Sequence, residues 1–258
     1  MATKTSTAIQ KRKPSAPRRI LAVDIGGTKV KILASGATDA RKMPSGPELT
    51  PLAMVKQVKQ LAKGWKYEAV SIGLPARIGA NGPLGEPGNL GPGWVGFDFT
   101  GAFRCPVRMA NDAAMQALGG YEGGRMLFLG LGTGIGSALI VEHIIITLEL
   151  GDLPFRDSTL SALLARRSLE KVGKKTWRKW VAEAVPPLQK AFQVDYIVLG
   201  GGNAKHMKLL PPGVRVGNNL TAFRGGFRLW GMDDVQTLDA HGLQPPASRL
   251  SLGEWRLL

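Results

Sequence analysis

The sequence predicts an α/β fold whose two halves face each other across a central cleft, and three observations carry that expectation. Ile20 to Ala34 holds two β-type runs, Ile20 to Ile25 and Val30 to Ala34, joined by Gly26-Gly27-Thr28-Lys29. Arg125 to Val141 repeats the grammar of strand, glycine-threonine turn and strand around Gly132-Thr133-Gly134-Ile135-Gly136. A third strand, Tyr196 to Leu199, ends in Gly200-Gly201-Gly202-Asn203, and α/β folds bind ligands at the carboxyl ends of their strands. In such turns backbone amides freed of Cβ obstruction can close on an anion, while a hydroxyl and an ammonium add donors where a phosphate sits.

In chain order, residues 1–19 are polar, basic and proline-containing, which reads as a disordered leader. In the first hairpin, Gly26, Gly27, Thr28 and Lys29 form the anion turn, and Asp24 stands where it can hold a magnesium ion through water. Pro44, Gly46 and Pro47 break the chain before Thr50 caps a helix with Pro51 in its first turn. Met54, Val55, Val58, Leu61 and Ala62 give that helix an apolar stripe, and Gly64 ends it. Ala69 to Gly73 is a short buried strand. Leu74 to Gly96 is a long loop rich in glycine and proline, and such loops inside compact chains are usually functional or mobile. Its Asn89 and Trp94 either offer a sugar an amide and an aromatic wall, or are turn chemistry and a packed ring.

Val107 to Ala110 ends a strand and Ala113 to Leu118 starts a helix, so Asn111-Asp112 stands at their junction. Either one of the two caps the helix, or Asp112, kept ionised by the helix dipole, accepts a hydroxyl proton during attack on phosphorus. The junction lies between the two glycine hairpins, which favours the second reading because the carboxylate can face the cleft. Glu149-Leu150-Gly151-Asp152 sets two carboxylates in a turn, as a sugar rim or a solvated bend. Asp157 to Val172 and Thr176 to Ala184 read as helices, with Trp177 and Trp180 as core residues. Arg166, Arg167, Lys171, Lys174, Lys175, Arg178, Lys179 and Lys190 crowd this region against only Glu170 and Glu183, making it the best candidate for a polyanion track. Asn218-Asn219 to Gly225-Gly226 starts a last helix, and Gln244 to Leu258 shows no periodicity.

Composition narrows the function classes. A chain of 258 residues with 44% hydrophobic content can bury a sizeable core. Its 34 basic against 19 acidic residues give +15, and only part of that excess lies in the leader, so a polyanionic partner is favoured. The single Cys105 excludes an internal disulfide and a cysteine-based zinc site, and His143, His206 and His241 lack metal-ligand spacing, so no zinc is expected. The apolar runs are too short to span a bilayer and no apolar h-region opens the chain, which predicts a cytoplasmic protein without a membrane partner. A Walker loop or a dinucleotide fingerprint leads into a helix, whereas both glycine hairpins here run into strands.

From about Ile20 to Gly226, the order and spacing of these motifs resemble the ROK family of sugar kinases, repressors and open reading frames, and within it the polyphosphate glucokinases. Asp24-Ile-Gly-Gly-Thr-Lys29 looks like the family's first phosphate motif and Leu131-Gly-Thr-Gly-Ile-Gly136 its second. Asn89 to Trp94 looks like its sugar loop, Asn111-Asp112 its catalytic pair, and Gly200-Gly-Gly202 the segment near the donor nucleoside. The resemblance implies an actin-like ATPase fold of two ribonuclease-H-like domains. The expected division is 20–110 and 111–226, with 227–258 an unassigned extension.

It further implies transfer of a phosphoryl group from polyphosphate or ATP, with magnesium, to the 6-hydroxyl of glucose or a related hexose. Asp112 would be the base; Asn89, Asn111, Glu149 and Asp152 would form the sugar site. Gly26, Gly27, Thr28, Lys29, Gly132, Thr133, Gly134, Gly136, Gly201 and Gly202 would take the donor. A homodimer is implied; specific DNA binding is not, because a repressor needs a helix-turn-helix that residues 1–19 are too short to hold. Three positions depart from the family: Asp152 replaces the histidine of Glu-x-Gly-His, Ala76 replaces a glycine, and Arg224 to Trp230 is bulkier and more basic than usual. Asp152 and the basic body motivate the alternative, a catalytically weak sugar- or polyanion-binding protein on the same scaffold.

Overall fold

The structure, a computed structural model, describes residues 19–218, 220–233 and 255–258, so the expected leader over residues 1–19 lies, except for Arg19, outside the described residues, as does most of the extension. β1 (Ile20–Ile25) and β2 (Lys29–Ala34) pair antiparallel with Ile25 opposite Val30, and the first glycine turn joins them. β3 (Arg41–Pro44) lies antiparallel to β2. α1 (Pro51–Leu61) begins where the Thr50 side chain accepts from the Ala53 N–H, and Gly64 follows it at φ +91°. β4 (Ala69–Leu74) runs parallel to β1. After the small hairpin of β5 (Ile78–Gly79) and β6 (Gly82–Pro83) come α2 (Phe99–Phe103) and β7 (Val107–Asn111), which is parallel to β4.

α3 (Asp112–Gly120) leads to the second half, where β8 (Arg125–Leu131), β9 (Ile135–Val141) and β10 (Ile144–Leu148) form an antiparallel meander. The short pair β11 (Pro154–Phe155) and β12 (Ser158–Thr159) precedes α4 (Leu160–Leu164) and α5 (Arg166–Phe192). β13 (Tyr196–Gly200) and β14 (Val214–Val216) add parallel strands, and α6 (Thr221–Arg228) and β15 (Arg256–Leu257) complete the described chain.

The two sheets repeat one plan. The first is ordered β3-β2-β1-β4-β7 and the second β10-β9-β8-β13-β14, with β15 added beside β10. In each, three antiparallel strands are followed by two parallel ones. The helix after the last parallel strand of each half crosses to the other half. Ala114, Met115 and Leu118 of α3 pack with Met126, Phe128 and Ile140 of the second sheet, while Phe223 and Phe227 of α6 pack on Ile20, Ala22 and Leu33 of the first. The two helices cross in backbone contact: a Cβ on Gly119 would stand 1.7 Å from the Thr221 carbonyl oxygen, and one on Gly225 1.7 Å from that of Met115. α6 thus spans the expected boundary at 226/227, and it packs on the first sheet.

Three expectations change. The helix expected over Asp157 to Val172 is two: α4 starts only at Leu160, because Ser158–Thr159 pairs with β11 and the Thr159 hydroxyl caps it at the Ala162 N–H, and the extended Ala165 separates it from α5. Gly173, at φ +75°, is the expected break between helices, but the second runs past Ala184 to Phe192. At the end of the unpatterned C-terminal stretch, Arg256–Leu257 pairs with Ile144–Ile145. The bulky basic helix α6 also has a structural reason: Arg228 is 0% exposed and donates to the Leu118 and Tyr121 carbonyls, and it shares Asp233 with Arg224. Although burial pushes Asp233 upward, the hydrogen bonds and charges of Arg228 and Arg224 hold it below the usual carboxylate range. Among the described residues no helix is long and apolar enough to cross a membrane.

Candidate active site

The carboxyl ends of β1, β4 and β7 in one half and of β8 and β13 in the other open on a shared cavity of about 600 Å³. Three glycine loops form its walls. In the first, Gly26 N–H donates to Lys29 O at 3.0 Å, and Ser45 clamps the turn from outside, its hydroxyl donating to Gly26 O at 2.6 Å and its N–H to Thr28 O at 3.2 Å. In the second, Gly132 O accepts from the Arg166 N–H at 2.8 Å and from Asn203 Nδ2 at 3.3 Å. The third turns at Gly201, whose φ of +75° and a Cβ position 2.6 Å from Leu131 O both require glycine. The loops meet at Gly27, where a Cβ would stand 2.8 Å from Asn89 Nδ2 and 3.9 Å from Thr133 Oγ1.

At the junction of β7 and α3 the two residues divide, Asn111 turning to the helix and Asp112 to the cavity. Asn111 is the N-cap: its Oδ1 accepts from Ala113 N–H at 2.9 Å and Ala114 N–H at 3.3 Å, and its Nδ2 reaches Ala76 O. Asp112 faces the cavity and accepts from the Ala113 N–H at 2.9 Å. The expectation that the helix dipole keeps this carboxylate ionised is overturned. Burial first, and then the charges of Asp24 and Glu149, outweigh the backbone hydrogen bonds and push it up to about 7.

Asp24 lies behind the first loop, 3% exposed, with Lys31 Nζ 3.3 Å from its Oδ2. Burial raises it from the usual carboxylate value and Lys31 acts against that rise. Magnesium is commonly bound through one or two carboxylates plus waters and substrate phosphates. One carboxylate on the strand leading into the first phosphate-type turn fits that pattern, and among the described residues no cluster of three ligating side chains offers a closed cage.

Asn89, Asn111, Asp112, Glu149 and all ten of the expected donor-loop residues line this one cavity. Asp152 does not; it is exposed on the short turn after Glu149. Trp94 is 0% exposed and its indole N–H donates to Gly91 O, so it is a core residue and no wall for a sugar. Sequence reasoning missed Lys31 and Gln116, which also line the cavity, and it placed Arg166 only in a polyanion track, whereas Arg166 lines the cavity too. For Lys31 the signal was present: the register of the first hairpin sets it directly opposite Asp24. Arg166 carried the signal of the basic stretch, but not its approach to the second glycine loop, where its N–H meets Gly132 O.

The sequence profile of the ROK family matches residues 20–151. A fructokinase from Pediococcus pentosaceus is 26% identical over 240 residues, covering 74% of this chain and 82% of that protein. A polyphosphate glucokinase from Mycobacterium leprae is 24% identical over 202 residues, covering 70% of this chain and 62% of that one. Among solved structures, the inorganic polyphosphate/ATP-glucomannokinase of an Arthrobacter strain superposes with a TM-score of 0.67 at 19% identity, over 89% of this chain and 100% of its own. A ROK family glucokinase from Streptomyces griseus, solved with glucose and AMPPNP, gives 0.61 at 17% identity over 93% of each chain. These likenesses identify the repeated α/β plan as the actin-like ATPase fold.

Proposed function

This chain belongs to the ROK family, and on that premise we propose that it is a sugar kinase, transferring the terminal phosphoryl group of polyphosphate or ATP to the 6-hydroxyl of glucose or a related hexose. The observation that carries the reading is Asp112, a carboxyl poised near 7 in a cavity walled by the glycine turns of both halves. A general base works best when its pKa lies near the operating pH. Deprotonated Asp112 takes the proton of the hydroxyl as that oxygen attacks phosphorus. The new O–P bond forms as the bond to the rest of the donor breaks, leaving the donor one phosphate shorter.

Asn89 and Glu149 hold ring hydroxyls from opposite walls, while Asn111 fixes the start of α3 and hence the aim of Asp112. Amides of the glycine loops, with Thr28, Lys29 and Thr133, take the donor's charge. Magnesium, held through Asp24, would neutralise charge on the donor phosphates. Positioning and base catalysis of this kind supply several kcal/mol of barrier lowering, on the order of 7 or more. A homodimer, a cytoplasmic location and the division at 110/111 belong to the same reading.

The alternative of a weakly catalytic binding protein rested on Asp152 and the basic body, and Asp152 stands outside the cavity. The test is a coupled sugar-phosphate assay with magnesium on glucose, mannose and fructose, each with ATP and with long-chain polyphosphate. Turnover that disappears in Asp112→Ala while sugar binding persists is the expected result. Undiminished turnover in that variant would remove Asp112 from the base role, and silence with every pair would overturn the kinase reading.

A further inference from the structure

The rim of the cleft beyond Gly202 carries cations that the transfer step does not use. Arg166 begins α5 inside the cavity, with its Nη2 4.0 Å from where a Cβ on Gly202 would stand, so the guanidinium sits between the second and third glycine loops. None of the ion pairs among the described residues includes it. Further along the rim, Lys174 and Arg178 of α5 and Lys205, which follows the third loop, converge on His206. Burial pushes that imidazole down, and the charges of Lys174, Lys205 and Arg178 push it the same way.

Arg178 is committed, since its Nε donates to His206 O. Lys174 and Lys205 are exposed and enter no ion pair among the described residues. Nearby, Glu170 is the acid of this stretch of α5, and Glu183 is already paired with Arg156. Like charges held this close repel one another, and an anion with charge repeated along its length relieves that repulsion at several points at once.

We propose that Arg166, Lys174 and Lys205 grip the phosphates that trail behind the one being transferred, so that a linear phosphate chain is held along the rim as well as in the cleft. The proposal rests on the kinase reading above and assigns that reading a donor. Arg166, in the cavity, meets any donor; Lys174 and Lys205 meet only a chain that extends past the third loop. Each phosphate contact to a flexible polyanion steepens the salt dependence of binding by about 0.7 in log–log slope.

The test is binding of inorganic tripolyphosphate and of long-chain polyphosphate to the full chain, by calorimetry from low to physiological salt, with circular dichroism to show that each variant is folded. Lys174→Ala/Lys205→Ala is expected to weaken long-chain binding about tenfold or more and to flatten its salt slope by roughly 1.4, while leaving tripolyphosphate within about twofold. Arg166→Ala is expected to weaken both ligands. A double variant that keeps long-chain affinity and slope, or a native protein that does not bind the long chain, overturns the proposal. Native protein that grips polyphosphate through these lysines yet phosphorylates no hexose would sink the kinase reading and leave the rim standing. Turnover on polyphosphate that ignores both lysines would do the reverse.

Discussion

Asp112 shows what one side chain gains and loses by its surroundings. Its base form is the unprotonated one, so kcat/KM should climb about tenfold per pH unit below about 7 and level off above it. Removing a neighbouring negative charge makes ionisation easier. Asp24→Asn should therefore move the acid limb of that profile to lower pH, by more than Glu149→Gln does, because the Asp24 charge acts on Asp112 more strongly. A limb that stays in place in Asp24→Asn would show that the two carboxylates do not communicate. The identity and place of this residue were legible from a strand-to-helix junction lying between two glycine hairpins. Its protonation was not, because the dipole argument counts only local backbone and burial is set by residues distant in sequence. Trp94 stayed undecided between a sugar wall and a packed ring for the same reason: a loop rich in glycine and proline says nothing of which ring it folds inward.

Among the elements, the hairpins were readable almost to the residue, since alternation and a glycine turn fix their register without help from the rest of the chain. α6 was legible as a helix but not as a seam. Its arginines find Leu118 O, Tyr121 O and Asp233, and its glycine meets the backbone of α3, none of which follows from its own periodicity. The Gly225→Ala variant should lose about 3 kcal/mol or more, because the added methyl meets a carbonyl oxygen of a packed helix and no flexible side chain can give way. Denaturant unfolding would measure it, with Gly85→Ala, at a glycine whose Cβ position has nothing within 4 Å, as the control expected to stay within about 0.5 kcal/mol. Equal midpoints for the two would mean that α3 and α6 do not cross as closely as described.

For the molecule as a whole, the sequence carried the duplication, since two strand-glycine-threonine-strand units were visible, but not the exchange of helices between halves. The site lies across that join, with Asn89 on one wall and Glu149 on the other, so a bound hexose should stabilise both halves as a unit. At a sugar concentration of about 100 times Kd the gain is ~2.7 kcal/mol, a rise in melting temperature of roughly 5–10 °C in one transition. Asn89→Ala, which loses a wall contact, should need about tenfold more sugar for the same shift. A sugar that split the melt into two transitions would contradict a shared site. The crossing of α3 and α6 has one more consequence, for how the chain is made. The inner face of the first sheet stays uncovered until Phe223 and Phe227 have left the ribosome. Residues 20–111 therefore emerge as a nascent segment that cannot finish folding by itself, and the protein matures late in translation, when the last helix arrives to close the half that was synthesised first.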